Sequence, residues 1–187
     1  ALLNSLPEEN ATTALVALEP WQQIRLNNVS FQYGSPNEKG GFRVGPLNFV
    51  INKGEVVFIV GGNGSGKSTL SKLITLHYQS SDGEIYFGKT KVTEHTLSSC
   101  REEITAIYSD FHLFKRLFGL KVQAERVDTL LAALQLSDKV RVTDNEFSTT
   151  SLSDGQRKRL ALLVSVLEDK QLYLFDEWAA DQDPEFK

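Results

Sequence analysis

One glycine-rich segment carries the clearest chemical signal in the chain. It reads Gly61-Gly62-Asn63-Gly64-Ser65-Gly66-Lys67-Ser68-Thr69 and fits the phosphate-binding pattern G-x-x-x-x-G-K-[ST]. Glycines let consecutive backbone N–H groups turn toward phosphate oxygens, and a helix that starts near Lys67 adds its positive dipole end. The pattern assigns Lys67 to the β- and γ-phosphates, for binding and catalysis, and the Ser68 hydroxyl to Mg²⁺. The alternative is a glycine-rich turn without a ligand, which a strand before the segment and a helix after it would disfavour.

Two carboxylates follow an apolar run much later in the chain. Residues Leu172 to Phe175 (LYLF) have the composition of a buried strand, and Asp176 and Glu177 come directly after it. This arrangement is a Walker B motif, in which Asp176 is predicted to hold Mg²⁺. Glu177 is predicted to orient or deprotonate an attacking water. The alternative is a strand that happens to end in two acids, and the phosphate-binding loop makes that alternative less favourable.

A third motif lies shortly before these carboxylates. The sequence Leu152-Ser153-Asp154-Gly155-Gln156 precedes three basic residues and a helix predicted from Leu160. Ser153 and Gln156 have the S-x-x-Q spacing of a helix capping box, which explains them without any ligand.

The elements that must position these motifs follow from hydrophobic periodicity. Residues 24–33 and 42–51 have strand composition and are separated by a turn at 34–41, which predicts a hairpin. Residues 55–60 (EVVFIV) are continuously apolar, which predicts a strand buried on both faces just before the glycine-rich segment. After the glycine-rich segment, one face of a predicted helix comprises Leu70, Leu73, Ile74 and His77. The sequence also predicts strands at 84–87 and 104–108 and helices around 127–134 and 160–167. The alternation of strands and helices predicts an α/β fold with an antiparallel part at the start.

Composition excludes several classes of protein. The net charge is −4 and basic and acidic residues are interleaved, so no basic field favours nucleic acid. One cysteine, Cys100, excludes a disulfide framework and most simply is an inert half-buried residue. No stretch approaches the ~20 apolar residues of a membrane span, and Glu8 and Glu9 argue against a signal peptide. The sequence has no methionine, so we expect that it is part of a longer chain or was processed.

The order of the three motifs resembles the ATP-binding domain of ABC transporters, whose signature sequence is LSGGQ. The resemblance places Tyr33 where that family has an adenine-stacking aromatic residue, and Asp183 where it has the D-loop aspartate. Three strings are similar to the cyclic-peptide and siderophore exporter branch (the syringomycin, pyoverdine and microcin type): residues 58–69, 109–114 and 176–184, the last reading DEWAADQDP.

The resemblance covers residues 21–187 and implies the P-loop NTPase core of an ABC-type ATPase with a small helical signature subdomain at about 112–168. Residues 1–20 would be a linker from a preceding membrane domain. The implied cofactors are ATP and Mg²⁺, and the implied partner is a second copy of the same domain, in a head-to-tail homodimer. The resemblance implies that in this dimer Ser153, Gly155 and Gln156, at the start of a helix, contact the ATP bound to the other copy. The implied role is efflux of a peptide or siderophore-like compound, driven from the cytoplasmic face of the bacterial inner membrane.

Several features depart from the family pattern. Ser109 stands where most members have the Q-loop glutamine, and Asp154 replaces the first signature glycine. None of the three histidines (His77, His95 and His112) occupies the position of the switch histidine, so the domain is expected to be incomplete at its C-terminus, with that histidine beyond residue 187. Two alternatives remain open: a soluble, non-transport ABC ATPase, and a nucleotide-binding module that is inactive as this chain. The cargo is not encoded in this part of the sequence.

Overall fold

The computed structural model describes residues 15–34, 41–120 and 122–178. The strands are β1 (Gln23–Gln32), β2 (Arg43–Asn52), β3 (Asp82–Phe87), β4 (Thr90–Lys91), β5 (Ile104–Ile107), β6 (Val142–Thr143), β7 (Glu146–Phe147) and β8 (Leu172–Phe175). The helices are α1 (Lys67–Ile74), α2 (Leu97–Arg101), α3 (Ala124–Ala133) and α4 (Asp154–Glu168). The chain separates into two compact units, residues 1–104 and 105–187, which are described one at a time.

The first unit is built on an antiparallel sheet with strand order β2-β1-β3-β4. The predicted hairpin is confirmed, because β1 pairs with β2 from Gln23 opposite Asn52 to Gln32 opposite Arg43. Ile24 and Leu26 alternate into the core, and a bulge then shifts the register. Asn28 adopts a positive φ of 50° at this bulge, a conformation that asparagine tolerates better than most residues. The bulge lets Val29 and Phe31 continue the buried face.

The helix after the glycine-rich segment is confirmed, but it is shorter than the periodicity predicts. Helix α1 ends at Ile74, and Leu73 and Ile74 are buried. His77 lies in the turn beyond the helix and not on its face, and Leu76 just before it has a positive φ of 61°. The Arg101 guanidinium donates two hydrogen bonds to the Leu76 carbonyl, at 3.2 and 2.7 Å, and so holds this turn.

The prediction of a buried strand at residues 55–60 is wrong in this structure. The segment has no regular secondary structure, and four of its five apolar side chains are exposed, among them Phe58 by 82% and Val60 by 87%. A run that is apolar on both faces is stable as a strand only when neighbouring strands pair with its edges and other elements cover its faces. Among the described residues no strand pairs with this segment. Of the two elements expected to flank the glycine-rich segment, the helix after it is present and the strand before it is not.

The second unit is mainly helical and encloses its own core. Side chains from α3 and α4 pack together with the hairpin of β6 and β7 and with the loops between them, and Leu136, Phe147, Leu160 and Leu163 are fully buried. Strands β5 and β8 form a separate two-stranded sheet. Strand β8 is not buried as predicted: its first three residues are half-buried and Phe175 is 45% exposed. Its apolar sequence indicated a strand correctly, but how far that strand is covered depends on the elements around it.

No helix in the described ranges is long and apolar enough to cross a membrane. The predicted linker at 1–20 lies mostly outside the described residues, as do most of the turn at 34–41 and the D-loop residue Asp183. The domain boundaries drawn from the sequence stay predictions.

Candidate functional site

The glycine-rich segment presents the start of α1 to solvent. Gly66 is the N-cap residue and has a φ of 95°, in the left-handed region. No side chain in the described part of the chain caps this helix, so the amide groups of its first turn have no side-chain acceptor. Such amides, together with the positive end of the helix dipole, form a binding site for anions.

Lys67 brings a positive charge to the same place. Its ammonium group donates hydrogen bonds to the carbonyl oxygens of Gly61 (2.9 Å) and Gly62 (3.0 Å), so the side chain lies across the loop and does not extend into solvent. Ser68 is exposed, and Thr69 is buried in the first turn of α1. The loop therefore combines backbone donors, an ammonium and an accessible hydroxyl, which is a set of groups suited to a polyphosphate.

Tyr33 lies beside this loop. Its hydroxyl is 3.1 Å from the Thr69 hydroxyl, and its ring packs edge-on against Phe31 at 5.0 Å between centroids. Burial raises the pKa of the Tyr33 phenol above its ordinary value, so the side chain is neutral at physiological pH. Tyr33 also lines a cavity of about 340 Å³ together with Phe42 and residues 64–69. Tyr33 thus both packs against Phe31 of the sheet and faces the loop.

Phe42 was not identified from the sequence. It is partly exposed, and its ring is 6.2 Å from that of Tyr33 and tilted by 44°. A single aromatic residue at a strand end gives no sequence signal that it lines the cavity beside the glycine-rich loop. The proximity arises because β1 and β2 pair, which brings the end of one strand next to the start of the other.

The signature segment forms the N-terminus of α4. The helix begins at Asp154, six residues before the predicted start at Leu160, so Gly155 and Gln156 belong to its first turn. The capping box is confirmed. The main-chain N–H of Gln156 donates to Ser153 Oγ at 3.4 Å, and the main-chain N–H of Ser153 donates to the side-chain Oε1 of Gln156 at 3.3 Å. A serine hydroxyl that accepts a hydrogen bond can still donate its own proton, so capping leaves Ser153 able to contact a phosphate.

Asp154 is exposed in the first turn of α4, where a negative charge is stabilised by the helix dipole. Its carboxylate is 3.9 Å from the Arg157 guanidinium. The Arg157 guanidinium also lies over the ring of Phe111 at 5.7 Å. These residues line a polar cavity of about 320 Å³ with Ser109, Asp110 and Lys158.

The predicted Mg²⁺ ligand Asp176 and the predicted catalytic residue Glu177 follow β8 directly. The Asp176 amide donates to the Ile107 carbonyl at 2.9 Å, which fixes the end of β8 against β5. Glu177 is exposed and has a φ of 52°, a left-handed conformation that is uncommon outside glycine. The Lys158 ammonium donates to the Glu177 carbonyl at 3.0 Å. Sequence reasoning missed Lys158, although a signal existed: it falls on the same helical face as Ala161 and Ser165, three and seven residues later, and all three are buried.

The candidate residues therefore form two groups. The loop at 61–69 and Tyr33 lie together in the first unit. The signature residues and the pair Asp176 and Glu177 lie in the second unit. No cluster of three or more His, Cys, Asp or Glu side chains able to hold a metal occurs in the described part of the chain. Mg²⁺ bound with a nucleotide needs few protein ligands, and the Ser68 hydroxyl in the first unit and the Asp176 carboxylate in the second are each an oxygen donor of the kind that this ion prefers.

Known proteins resemble this chain in sequence and in structure. The ABC transporter family profile matches residues 44–180. The ATP-binding protein SyrD of Pseudomonas syringae pv. syringae is 45% identical over 172 residues, covering 89% of this chain and 30% of that protein. The ATP-dependent lipid A-core flippase of Escherichia coli (strain K12) is 28% identical over 176 residues, covering 87% and 30%.

A solved structure of a bacterial Atm1-family ABC exporter with ATP bound matches this chain with a TM-score of 0.76 at 23% identity, covering 97% of this chain and 33% of that one. That likeness shows the fold, and the predicted fold class is confirmed. The chain spans about 30% of the length of the curated relatives it matches.

Proposed function

This chain belongs to the ABC transporter family, and on that premise we propose that it binds and hydrolyses ATP as the motor domain of an exporter. The observation that carries the proposal is the glycine-rich loop at the start of α1. There the Lys67 ammonium lies 2.9 Å from a loop carbonyl, and no side chain among the described residues caps the helix. A positive charge and uncapped helix amides at one point are the requirements for binding a nucleotide polyphosphate.

The proposed nucleotide site uses the residues that the loop and its neighbours supply. Residues 61–69 hold the phosphates, and Tyr33 stacks on the base, a role supported by its place on the cavity beside the loop. Ser68 and Asp176 hold Mg²⁺, which when bound neutralises charge on the phosphates. Glu177 orients the attacking water and accepts its proton, because its carboxylate is exposed directly after β8.

The second half of the proposed site comes from another copy of the domain. Ser153, Gly155 and Gln156 lie at the N-terminus of a fifteen-residue helix, α4, where Ser153 is exposed, Gln156 is half-buried and Gly155 is buried. The dipole end of such a helix stabilises a phosphate, and the Ser153 hydroxyl adds a donor. We propose that in a head-to-tail homodimer this turn caps the ATP held by the loop of the other copy. ATP binding then favours the closed dimer, and hydrolysis allows it to open.

The transported compound is proposed from the strings at 58–69, 109–114 and 176–184, which resemble the cyclic-peptide and siderophore exporter branch. We propose that the whole protein exports a peptide or siderophore-like compound, with this domain at the cytoplasmic face of the bacterial inner membrane and a membrane domain in the same polypeptide. The 45% identity to the ATP-binding protein SyrD supports the assignment of this chain as the ATP-binding part. The lower identity to lipid A-core flippases is compatible with a different cargo. Efflux assays of the whole transporter with both classes of compound distinguish these cargoes.

The nucleotide-binding part is tested with Lys67→Ala. Removal of a charged hydrogen-bond partner of the phosphates should cost about 1.5–3 kcal/mol, which is about ten- to a hundredfold in affinity. The measurement is a titration with a fluorescent ATP analogue in the presence of Mg²⁺. Lys53→Ala is the matched control, because Lys53 is an exposed lysine in the turn after β2. Equal affinity of Lys67→Ala and the parent would contradict the proposed role of the loop.

A further inference from the structure

Lys158 occupies an unusual position for a lysine. It lies in the second turn of α4 and is 5% exposed. A buried ammonium is stable only when polar groups replace its water, and the Glu177 carbonyl at 3.0 Å is one such group. The hydrogen bond joins α4 to a main-chain atom nineteen residues later. Lys158 therefore contacts the main chain of the proposed general base.

A second hydrogen bond connects the same two segments. The Trp178 indole Nε1 donates to the Lys158 carbonyl at 3.1 Å, and the Trp178 ring packs against the core of the second unit. Lys158 thus donates to residue 177 through its side chain and accepts from residue 178 through its main chain. Two hydrogen bonds in opposite directions restrain both the position and the orientation of the segment.

The restrained segment has a backbone conformation that needs support. Glu177 has a φ of 52°, which is unfavourable for a residue with a Cβ. Such conformations persist when the surroundings hold them, and they are found where a side chain must point in one direction. The two hydrogen bonds of Lys158 restrain Glu177, which has this conformation, and Trp178, which follows it.

From these contacts we infer that Lys158 is a positioning residue that ties the main chain of Glu177 to the signature helix. The inference rests on the proposed function, in which Glu177 is the base and the start of α4 caps the ATP of the other copy. Lys158 follows the Ser153–Gln156 turn by about one helical turn. A displacement of that turn when it engages ATP moves Lys158 and, through it, Glu177. Each copy thereby links its own catalytic carboxylate to the ATP bound by its partner.

The test uses Lys158→Met in the intact dimeric transporter, since methionine keeps a similar length and apolar stem without the ammonium. The catalytic constant for ATP hydrolysis should fall about tenfold or more, because misplacement of a reacting group by ~1 Å costs up to ~10²-fold. KM for ATP should stay within about threefold, since the nucleotide contacts are unchanged. Lys158→Arg, which keeps a charged donor, should recover most of the turnover. Lys139→Met, which removes an exposed lysine paired with Asp138, should behave as the parent.

Trp178 supplies a spectroscopic readout. The 187-residue sequence has two tryptophans, so in the intact transporter Trp21→Phe, together with replacement by Phe of any tryptophan outside these residues, leaves Trp178 as the sole indole. In that background ATP should change the Trp178 fluorescence, and Lys158→Met should abolish the change. If Lys158→Met does not fold, Trp178→Phe removes the second hydrogen bond while it keeps an aromatic ring. A lower catalytic constant at an unchanged melting temperature in Trp178→Phe then supports the inference, and an unchanged catalytic constant overturns it.

The outcomes separate this inference from the proposed function. If Glu177→Gln abolishes hydrolysis while Lys158→Met turns over as fast as the parent, the proposed function stands and the positioning role of Lys158 is wrong. The same conclusion follows if Lys158→Met loses ATP affinity and thermal stability in proportion to its activity, because a merely structural residue would do so. If Glu177→Gln hydrolyses ATP at the parental rate, the role proposed for Glu177 fails, and this inference fails with it.

Discussion

Substitution of Gly66 by alanine tests the geometry of the phosphate loop most directly. Gly66 has a φ of 95°, and a Cβ added there would lie 2.7 Å from Val44 Cγ2 and 3.4 Å from Phe42 Cζ. The first distance is far inside van der Waals contact. Two separate penalties therefore act on Gly66→Ala: a left-handed backbone with a Cβ, and a clash with the side chains at the start of β2.

The size of the effect follows from these two penalties. A left-handed conformation costs an alanine about 1–2 kcal/mol, and insertion of a methyl group into an occupied position costs about 1–3 kcal/mol. Together they amount to about 2–5 kcal/mol, from the sum of the two ranges. If the loop keeps its shape, the penalty appears as a lower free energy of unfolding. If the loop relaxes, it must regain its shape to bind phosphate, and the penalty appears as lost ATP affinity, about thirtyfold for 2 kcal/mol.

Both quantities are measurable on the same protein. Urea unfolding gives the change in stability, and titration with a fluorescent ATP analogue gives the change in affinity. Gly54→Ala is the matched control, because Gly54 has a φ of 77° but a Cβ there would meet nothing within 4 Å. It should lose about 1–2 kcal/mol of stability through its backbone alone and bind ATP as the parent does. Parental stability together with parental affinity in Gly66→Ala would refute the loop geometry described here.

Two other predictions concern catalysis and thiol chemistry. Glu177→Gln in the intact transporter should bind ATP but hydrolyse it about 10²-fold more slowly, as expected for loss of a general base. The variant should also accumulate an ATP-bound dimer, which size-exclusion chromatography detects. Unchanged turnover would mean that another residue is the general base. Burial raises the pKa of the Cys100 thiol to about 11 and leaves it 0% exposed. Since the thiolate is the reactive form, iodoacetamide at pH 8 should label native Cys100 at least ~10²-fold more slowly than the urea-unfolded chain, and rapid labelling of the native protein would contradict this burial.

Local signals in the sequence predicted the elements whose stability is local. The capping box at Ser153 and Gln156 formed as expected, because a cap and its helix lie within four residues of each other. The helix after the phosphate loop and the first hairpin also formed, since their patterns satisfy most of their own backbone hydrogen bonds. The proposed chemistry of Lys67, Asp176 and Glu177 came from the spacing of residues within short motifs in the same way. The site roles themselves stay predictions until the variants are measured.

Other features depend on which distant segments meet, and only the tertiary structure decided them. Residues 55–60 have a strand composition, yet they remain irregular and exposed, because a strand needs a partner that its own sequence does not specify. Phe42 reaches the phosphate loop through strand pairing, and Lys158 reaches the Glu177 carbonyl through packing of α4 beside the end of β8. The sequence by itself determined the phosphate loop, the capped helix and the pair of carboxylates, because each is specified by neighbours a few residues apart. Burial, strand partners and the support of Glu177 arise from contacts between remote residues, which no short pattern encodes.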